Sequence, residues 1–386
     1  MNIREKIISL IRPPIIDRGE RSIYVDPGVV TYVIGTESTS APSYNQMVTE
    51  AYDVNSTVRA CLSELTAAIS SVPIKIRSGE TILDSHPLLD LLDSPTPTDT
   101  WDEWVTVLVD HLYLDGNAFV LPIGITRSAG VQELRILSPD KVSIESREND
   151  KPIYIYRPTS NRSDDVVIKY DEMIHFRIPH PKSKYRGVSP LKSVSYDIDT
   201  ANEIKKWQLD IARSRGRGPG KISISDPNVI LDPQKDIPNI VSSIKQMQKT
   251  NGTLILRPGM DYESIGSNPV QTKMMDIQRE SATAICSILR VPPEIIGDFR
   301  SKTYNSYEEA KRSFWTEGVI PVMEKIIQKL QRHIAPYYGD INIIYDTSTI
   351  DVLKPDTLSN DYVIKSLETN IIDKSEARRL LGVAED

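Results

Sequence analysis

The chain has 386 residues, and few of its side chains stand in spacings that could do chemistry. The first group is Arg215-Gly216-Arg217-Gly218-Pro219-Gly220-Lys221, a glycine-rich basic loop of the kind that cradles phosphates. A P-loop needs a glycine, four residues, then Gly-Lys followed by Ser or Thr. Here Arg215 stands where the first glycine belongs and Ile222 where the hydroxyl belongs, so the pattern fails at both ends. The dinucleotide fingerprint fails too, because Lys221 replaces its third glycine and the loop follows a helix pattern instead of a strand. What remains is charge: residues 205–221 hold six basic side chains and one acid, a local net of +5 in a chain of net −7. The segment reads either as a glycine helix stop with cations at the negative end of the dipole, or as a rim that touches phosphate or an acidic partner.

His175 and His180, beside Asp171 and Glu172, have the side chains of a metal site. Their spacing of five suits neither one helix face nor one strand face, and Pro179 intervenes, so a packed or solvated pair is expected, with no metal. Cys61 and Cys286 both sit in apolar helical patterns and read as buried free thiols. No Gly-x-Ser-x-Gly elbow occurs, no Cys has a His partner, and the carboxylates are too scattered to assign a catalytic pair. A non-enzymatic protein without cofactors is expected. The rival reading is a metal-dependent nucleic-acid-processing enzyme built on Asp171, His175 and His180.

The composition, 39% apolar and 26% charged, is that of an ordinary soluble protein, and no run of 18 apolar residues suggests a membrane helix. Net −7 excludes a generic nucleic-acid coat but not a protein past which DNA slides. Tyrosine (17) far exceeds phenylalanine (4), which suits half-wet surfaces such as subunit contacts.

The elements that would position these groups follow from periodicity. A short amphipathic helix opens the chain, and an extended polar arm without clear period runs to about Met47. Val54, Val58, Cys61, Leu62, Leu65 and Ile69 mark a helix, and Pro73 stops it before a strand over 74–77. Pro87 opens another helix, and Thr98 or Asp99 caps one whose apolar face is Trp101, Trp104, Val105, Leu108 and Leu112. Strands are predicted over 118–121, 134–137, 142–145, 153–157, 166–169 and 173–178. A long helix follows with Val194, Ile198, Ala201, Ile204, Trp207 and Ile211 on one face. After an excursion over 221–268, with a helix near 237–249 and a strand over 253–257, a helix runs over 273–290 with Ile277, Ile285, Ile288 and Leu289 inward. Then come Val291-Pro292-Pro293, a polar loop and a helix of about 28 residues over 307–335 that should kink at Gly318 and Pro321. A strand over 341–345, a helix over 356–368 and an approximate capping box at Asp373 and Glu376 end the chain. The fold class is mixed α/β.

A series of local motifs, in order, resembles the portal proteins of tailed bacteriophages, the large family of long-tailed phages. Gly116-Asn117-Ala118-Phe119-Val120 is similar to the family's Gly-Asn-Ala-Tyr-Val, and Leu137-Ser138-Pro139-Asp140-Lys141-Val142 to its Leu-x-Pro-x-x-Val turn. Glu172-Met173-Ile174-His175-Phe176-Arg177 resembles Glu-x-Ile-His-x-Arg, and Arg186-Gly187-Val188-Ser189-Pro190-Leu191 resembles Gly-x-Ser-Pro-Leu at the entry to a long helix. Residues 215–221 keep Gly216 and Pro219 of an Asn-Gly-x-x-Pro-x-Gly turn, with Arg215 and Lys221 departing from it. Val291 to Gly297 resembles Val-Pro-Pro-x-x-Leu-Gly, and residues 373–381 resemble a Thr-x-Asn-Glu-Ala-Arg ending.

The resemblance implies a ring subunit with an N-terminal helix and arm (1–50), a wing (51–188), a first stem helix (189–220) and a clip (221–270). A second stem helix and Pro-Pro corner (271–298), a tunnel loop (299–305), a long kinked wing and channel helix (306–340) and a short crown (341–386) complete it. Phe299, Arg300, Ser301, Lys302, Thr303, Tyr304 and Asn305 would face DNA in the tunnel loop, and Arg213, Arg215, Arg217 and Lys221 would be basic contacts of stem and clip. The implied partners are the chain itself in a ring of twelve, double-stranded DNA in the channel, the major capsid protein, the large terminase subunit and the head–tail adaptor, with no membrane. The implied place is a capsid vertex of the virion, assembled in the bacterial host cytoplasm. A gene-transfer particle or contractile device derived from a phage is the alternative setting.

Overall fold

A computed structural model describes residues 23–26, 29–32, 43–126, 130–146, 151–159, 161–213, 220–224, 238–240, 242, 260–264, 273–297, 304–348, 350–353, 367, 369 and 373. The chain divides into two units, residues 1–42 and 43–386. In the first, β1 (Ile23–Asp26) and β2 (Val29–Tyr32) form an antiparallel hairpin, where the sequence suggested only an extended arm. Val-rich strands joined by Pro27-Gly28 carry that hairpin signal.

The second unit opens with α1 (Tyr44–Gln46), capped by Ser43 in a capping box, and continues as a π-helical stretch, Met47–Asp53. Asn55 then caps α2 (Ser56–Ser70), its side chain accepting from the backbone of Thr57 and Val58. Pro87 starts α3 (Pro87–Asp93), where the His86 ring accepts from Leu88 N. The cap of α4 (Trp101–Leu114) is Thr100, which shares a capping box with Glu103, and not Thr98 or Asp99. Those two residues instead direct their N–H groups to Thr96 Oγ1 in the preceding turn.

The long helices are α5 (Ser195–Arg213) and α6 (Met274–Leu289). Next come α7 (Tyr304–Ser313), a π-helical stretch Phe314–Val319, and α8 (Ile320–His333). One apolar core gathers α2 (Val58, Leu62, Leu65), α4 (Trp104, Leu108), α6 (Ile285, Leu289) and α8 (Met323, Ile326, Leu330). Cys61 and Cys286 meet in it as free thiols, Sγ to Sγ 3.7 Å, where the hydrogen bond to Cys286, then burial, raises the Cys61 pKa. Trp104 is buried with its indole N–H donating to Leu134 O at 2.7 Å, while Trp101, stacked on it, and Trp207 are half-buried.

The sheets are small and antiparallel. One has the order β10 (Ile174–Arg177), β5 (Asn117–Ile123), β6 (Glu133–Leu137). A second has β7 (Val142–Ser146), β8 (Pro152–Tyr156), β9 (Val166–Ile168). Phe119, Leu137, Val142, Tyr154, Ile168 and Met173 fill the space between them. In the third, β13 (Asn342–Tyr345) pairs with β3 (Ile74–Ser78), which pairs with β4 (Thr81–Leu83). The chain's late strand therefore closes on an early one. Within the excursion, β11 (Gly220–Ile224) pairs with β12 (Met260–Ser264). The predicted helix over 237–249 (apart from residues 238–240 and 242), the strand over 253–257, the helix over 356–368 (apart from residue 367) and the N-terminal helix lie outside the described residues.

Candidate functional site

Four of the sequence motifs converge on one buried joint at the root of α5. Asn117, fully buried, opens β5 and lies opposite Arg177 of β10. Its Oδ1 accepts from Gly187 N (2.6 Å) and from His175 Nε2 (3.0 Å). Its Nδ2 donates to Asp115 Oδ2 (2.7 Å) and Gly187 O (3.0 Å). Because an amide oxygen only accepts, His175 carries its proton on Nε2, which leaves Nδ1 to accept from the Tyr154 hydroxyl at 3.3 Å. The ring also stacks on Phe119, its cross-strand neighbour, at 4.5 Å. Burial, then the nearby cations Lys329, Arg177 and Arg186, push His175 down to about 3, so it is neutral. A histidine with both nitrogens engaged in this way is no metal ligand. His180 accepts from Lys182 N, and no cluster of metal-ligand side chains occurs among the described residues.

The two glycines of the joint are dictated by space. Gly116 has φ +87, and a Cβ on it would lie 2.2 Å from Val188 C; one on Gly187 would lie 2.2 Å from Gly116 O. The strand end and the helix entry thus touch backbone to backbone, with Ile178 N donating to Gly116 O and Val188 N to Ile178 O. Arg186 Nη2 reaches both oxygens of Asp115 (3.1 and 3.2 Å) and its Nη1 donates to Val142 O, binding the Leu137–Val142 turn into the joint. Ser189 Oγ donates to Tyr113 O and accepts from Leu191 N, capping the 3-10 turn Pro190–Val194 that leads into α5. Sequence reading singled out these motifs one by one. It missed Asn117 as the hub, since its partners lie up to 70 residues away.

From this root α5 and α6 run side by side, and burial fades along them. Ile198, Ala201 and Ile204 are buried, but Trp207 and Ile211 are only half-covered. Near the far end, where Gln208 meets Gln278, Leu209, Met275 and Ile277 are exposed (47%, 54% and 40%). Ile277 therefore does not face inward as its spacing suggested. Arg213, the last residue of α5, is exposed, 4.0 Å from Asp210. Lys221 lies in β11; Arg215 and Arg217 lie outside the described residues.

The Pro-Pro corner has its own lock. Arg290 ends α6 in the left-handed region (φ +56), and Val291 N returns to Cys286 O at 3.0 Å. Where a kink was expected, the long helix changes its hydrogen-bond pattern, with a π-helical stretch over Phe314–Val319. Pro321 has no N–H to offer Glu317 O four residues back, and Arg290 Nη1 donates to that oxygen instead, at 3.2 Å. Gly318 lets the Arg290 carbonyl approach, for a Cβ there would sit 2.8 Å from it. The helix starts at Tyr304, three residues earlier than predicted, so Tyr304 and Asn305 are in its first turn and not in a loop. Phe299, Arg300, Ser301, Lys302 and Thr303 lie outside the described residues.

Comparison with known proteins fits this architecture. The phage portal protein family model matches residues 56–382. An uncharacterised protein of Rickettsia bellii (strain RML369-C) is 24% identical over 344 residues, 86% of this chain and 88% of its own length. A chain in the neck of a native gene transfer agent (GTA) particle, computed with C12 symmetry, superposes with a TM-score of 0.64 at 20% identity, covering 89% of this chain and 94% of that one. An HK97 family phage portal protein from Corynebacterium diphtheriae superposes with a TM-score of 0.57 at 14% identity, covering 80% and 96%. The family match spans the joint, both long helices and the helix that carries the second π-helical stretch. The chain belongs to the phage portal protein family.

Proposed function

We propose that this chain assembles into a closed ring of twelve at one vertex of a capsid. Double-stranded DNA enters and leaves through the ring, which nucleates capsid assembly and docks the large terminase subunit, then the head–tail adaptor. The family match over residues 56–382 carries this reading. The uncovered apolar residues Leu209, Met275 and Ile277 at the far end of the α5–α6 pair support it, because a ring wall buries such faces against neighbouring copies. In this scheme residues 51–188 form the wing, 189–220 and 271–298 the stem with its corner, and 221–270 the clip. Residues 299–303 form the tunnel loop, 304–340 the channel helix, with Tyr304 and Asn305 in its first turn, and 341–386 the crown. The ring acts by position and charge, without a catalytic group.

Native mass spectrometry of the purified chain tests the reading. A closed species of about 520 kDa, twelve times 43.4 kDa, is expected. A stable monomer with metal-dependent nuclease activity would overturn it. The likeness to a GTA neck favours a second setting, a gene-transfer particle. Sequencing the packaged DNA separates the two: random host fragments indicate the particle, and one defined genome indicates a phage.

A further inference from the structure

A pocket of about 190 Å³ opens between β10 and the last turns of α8, away from the joint's own hydrogen bonds. Its floor is apolar, Leu112 and Phe176, both buried. Its walls carry Arg177 from β10 and Lys325, Lys329 and Arg332 from α8. The three α8 cations fall at i, i+4 and i+7, which puts them on one helix face over about 10 Å. Arg177, opposite them, comes from a strand some 150 residues earlier, so the fold and not the helix alone makes the cluster.

The arrangement is electrostatically uncompensated. No acid lines the pocket, and none of the four cations forms an ion pair among the described residues. Arg177 reaches a neutral group, the Lys184 carbonyl. Lys329 is half-buried, and desolvation, then Arg332 and Arg177, lower its pKa, the signature of a cation crowded by its own sign. Solvated basic residues at a helix C-terminus would complement the dipole while pointing apart into water. Here they crowd a concave, part-apolar space, where an anion gains from several charges at once and from reduced solvent screening.

We propose that this pocket binds a phosphate group, through one guanidinium from each wall and the Lys329 ammonium. The same chemistry would accept a phosphodiester of duplex DNA or free inorganic phosphate, and the site stands on its lining whatever ring the chain forms. The test uses the full-length protein, a 20-base-pair duplex followed by fluorescence anisotropy, and inorganic phosphate followed by thermal shift against chloride of equal ionic strength. Phosphate should raise Tm in the wild type. Lys329→Gln with Arg332→Gln should abolish that rise, and Lys192→Gln, at an exposed lysine outside the pocket, should keep it. If the duplex binds, competes with phosphate and loses about 2 from its log–log salt slope in the double variant, the source is nucleic acid. If only inorganic phosphate binds, and the double variant loses it, the source is the free anion. No Tm rise and no duplex binding in the wild type, or equal binding by the double variant, overturns the site. Arg332 and Lys325 are exposed, so Lys325→Gln provides a second reading in a fold that the change leaves intact.

Discussion

At its root, α5 is held by a fully buried asparagine with every polar group engaged, two glycines in backbone contact and an arginine bridging a carboxylate to a turn. Nineteen residues later the same helix ends among exposed leucine, methionine and isoleucine side chains. The root is complete within one chain. The far end leaves apolar surface that is exposed among the described residues. A subunit built this way can fix the direction in which its helix pair projects before it meets a neighbour, and leave the wall of the assembly to be completed by association.

Four variants probe that contrast. The largest effect on subunit stability is expected at the root. Gly187→Ala places a methyl group 2.2 Å from a backbone oxygen that cannot swing away, and should cost roughly 3 kcal/mol or more in urea unfolding, or prevent folding. A loss under about 1 kcal/mol would show that the joint is loose.

The second test concerns pH. His175 is held neutral near 3 against an ordinary 6.5, so its contribution is complete above pH 6.5 and is lost as pH falls toward 3. Asp110 titrates in the opposite sense, its carboxyl raised by burial to about 6, so only a difference isolates the histidine. Between pH 7 and pH 4 the wild type should lose on the order of 3 kcal/mol relative to His175→Gln. Parallel stability curves for the two proteins would remove the histidine from the joint's energetics.

At the far end, Leu209→Ser with Met275→Ser should change subunit stability by less than about 0.5 kcal/mol, since both side chains already face water. The same variant should fail to close rings in native mass spectra. Rings that form as in the wild type would show that this surface is not the wall. The smallest effect on the subunit belongs to Arg300→Glu with Lys302→Glu, which should leave stability and ring assembly intact while shortening packaged DNA or lowering titre. Unchanged packaging would defeat the tunnel-loop assignment.

Much of the α-helical framework was legible because its signals are local. The apolar spacing of α2 and α4, the Pro87 start and the buried half of α5 each depend on residues within one or two turns. The strands from β5 to β10 were found within a residue or two for the same reason. Where local rules failed, a distant partner had intervened. Ile277 has the right period to be buried, but at that height on α6 it stays 40% exposed. Beside the π-helical turn at Phe314–Val319, Arg290 from across the corner donates to the Glu317 carbonyl that Pro321 leaves without an N–H.

By itself, then, the sequence determined most of the helices, the strands from β5 to β10 and, through the order of its motifs, the family. The tertiary structure decided that Asn117, His175, Arg186 and Gly187 form one joint, that Cys61 meets Cys286, and that Arg177 faces three cations of α8. The physical reason is range. Helix and strand periodicity encode which face of an element is apolar, whereas a hydrogen bond or a charge cluster between elements up to 225 residues apart exists only once packing has set their distance and angle.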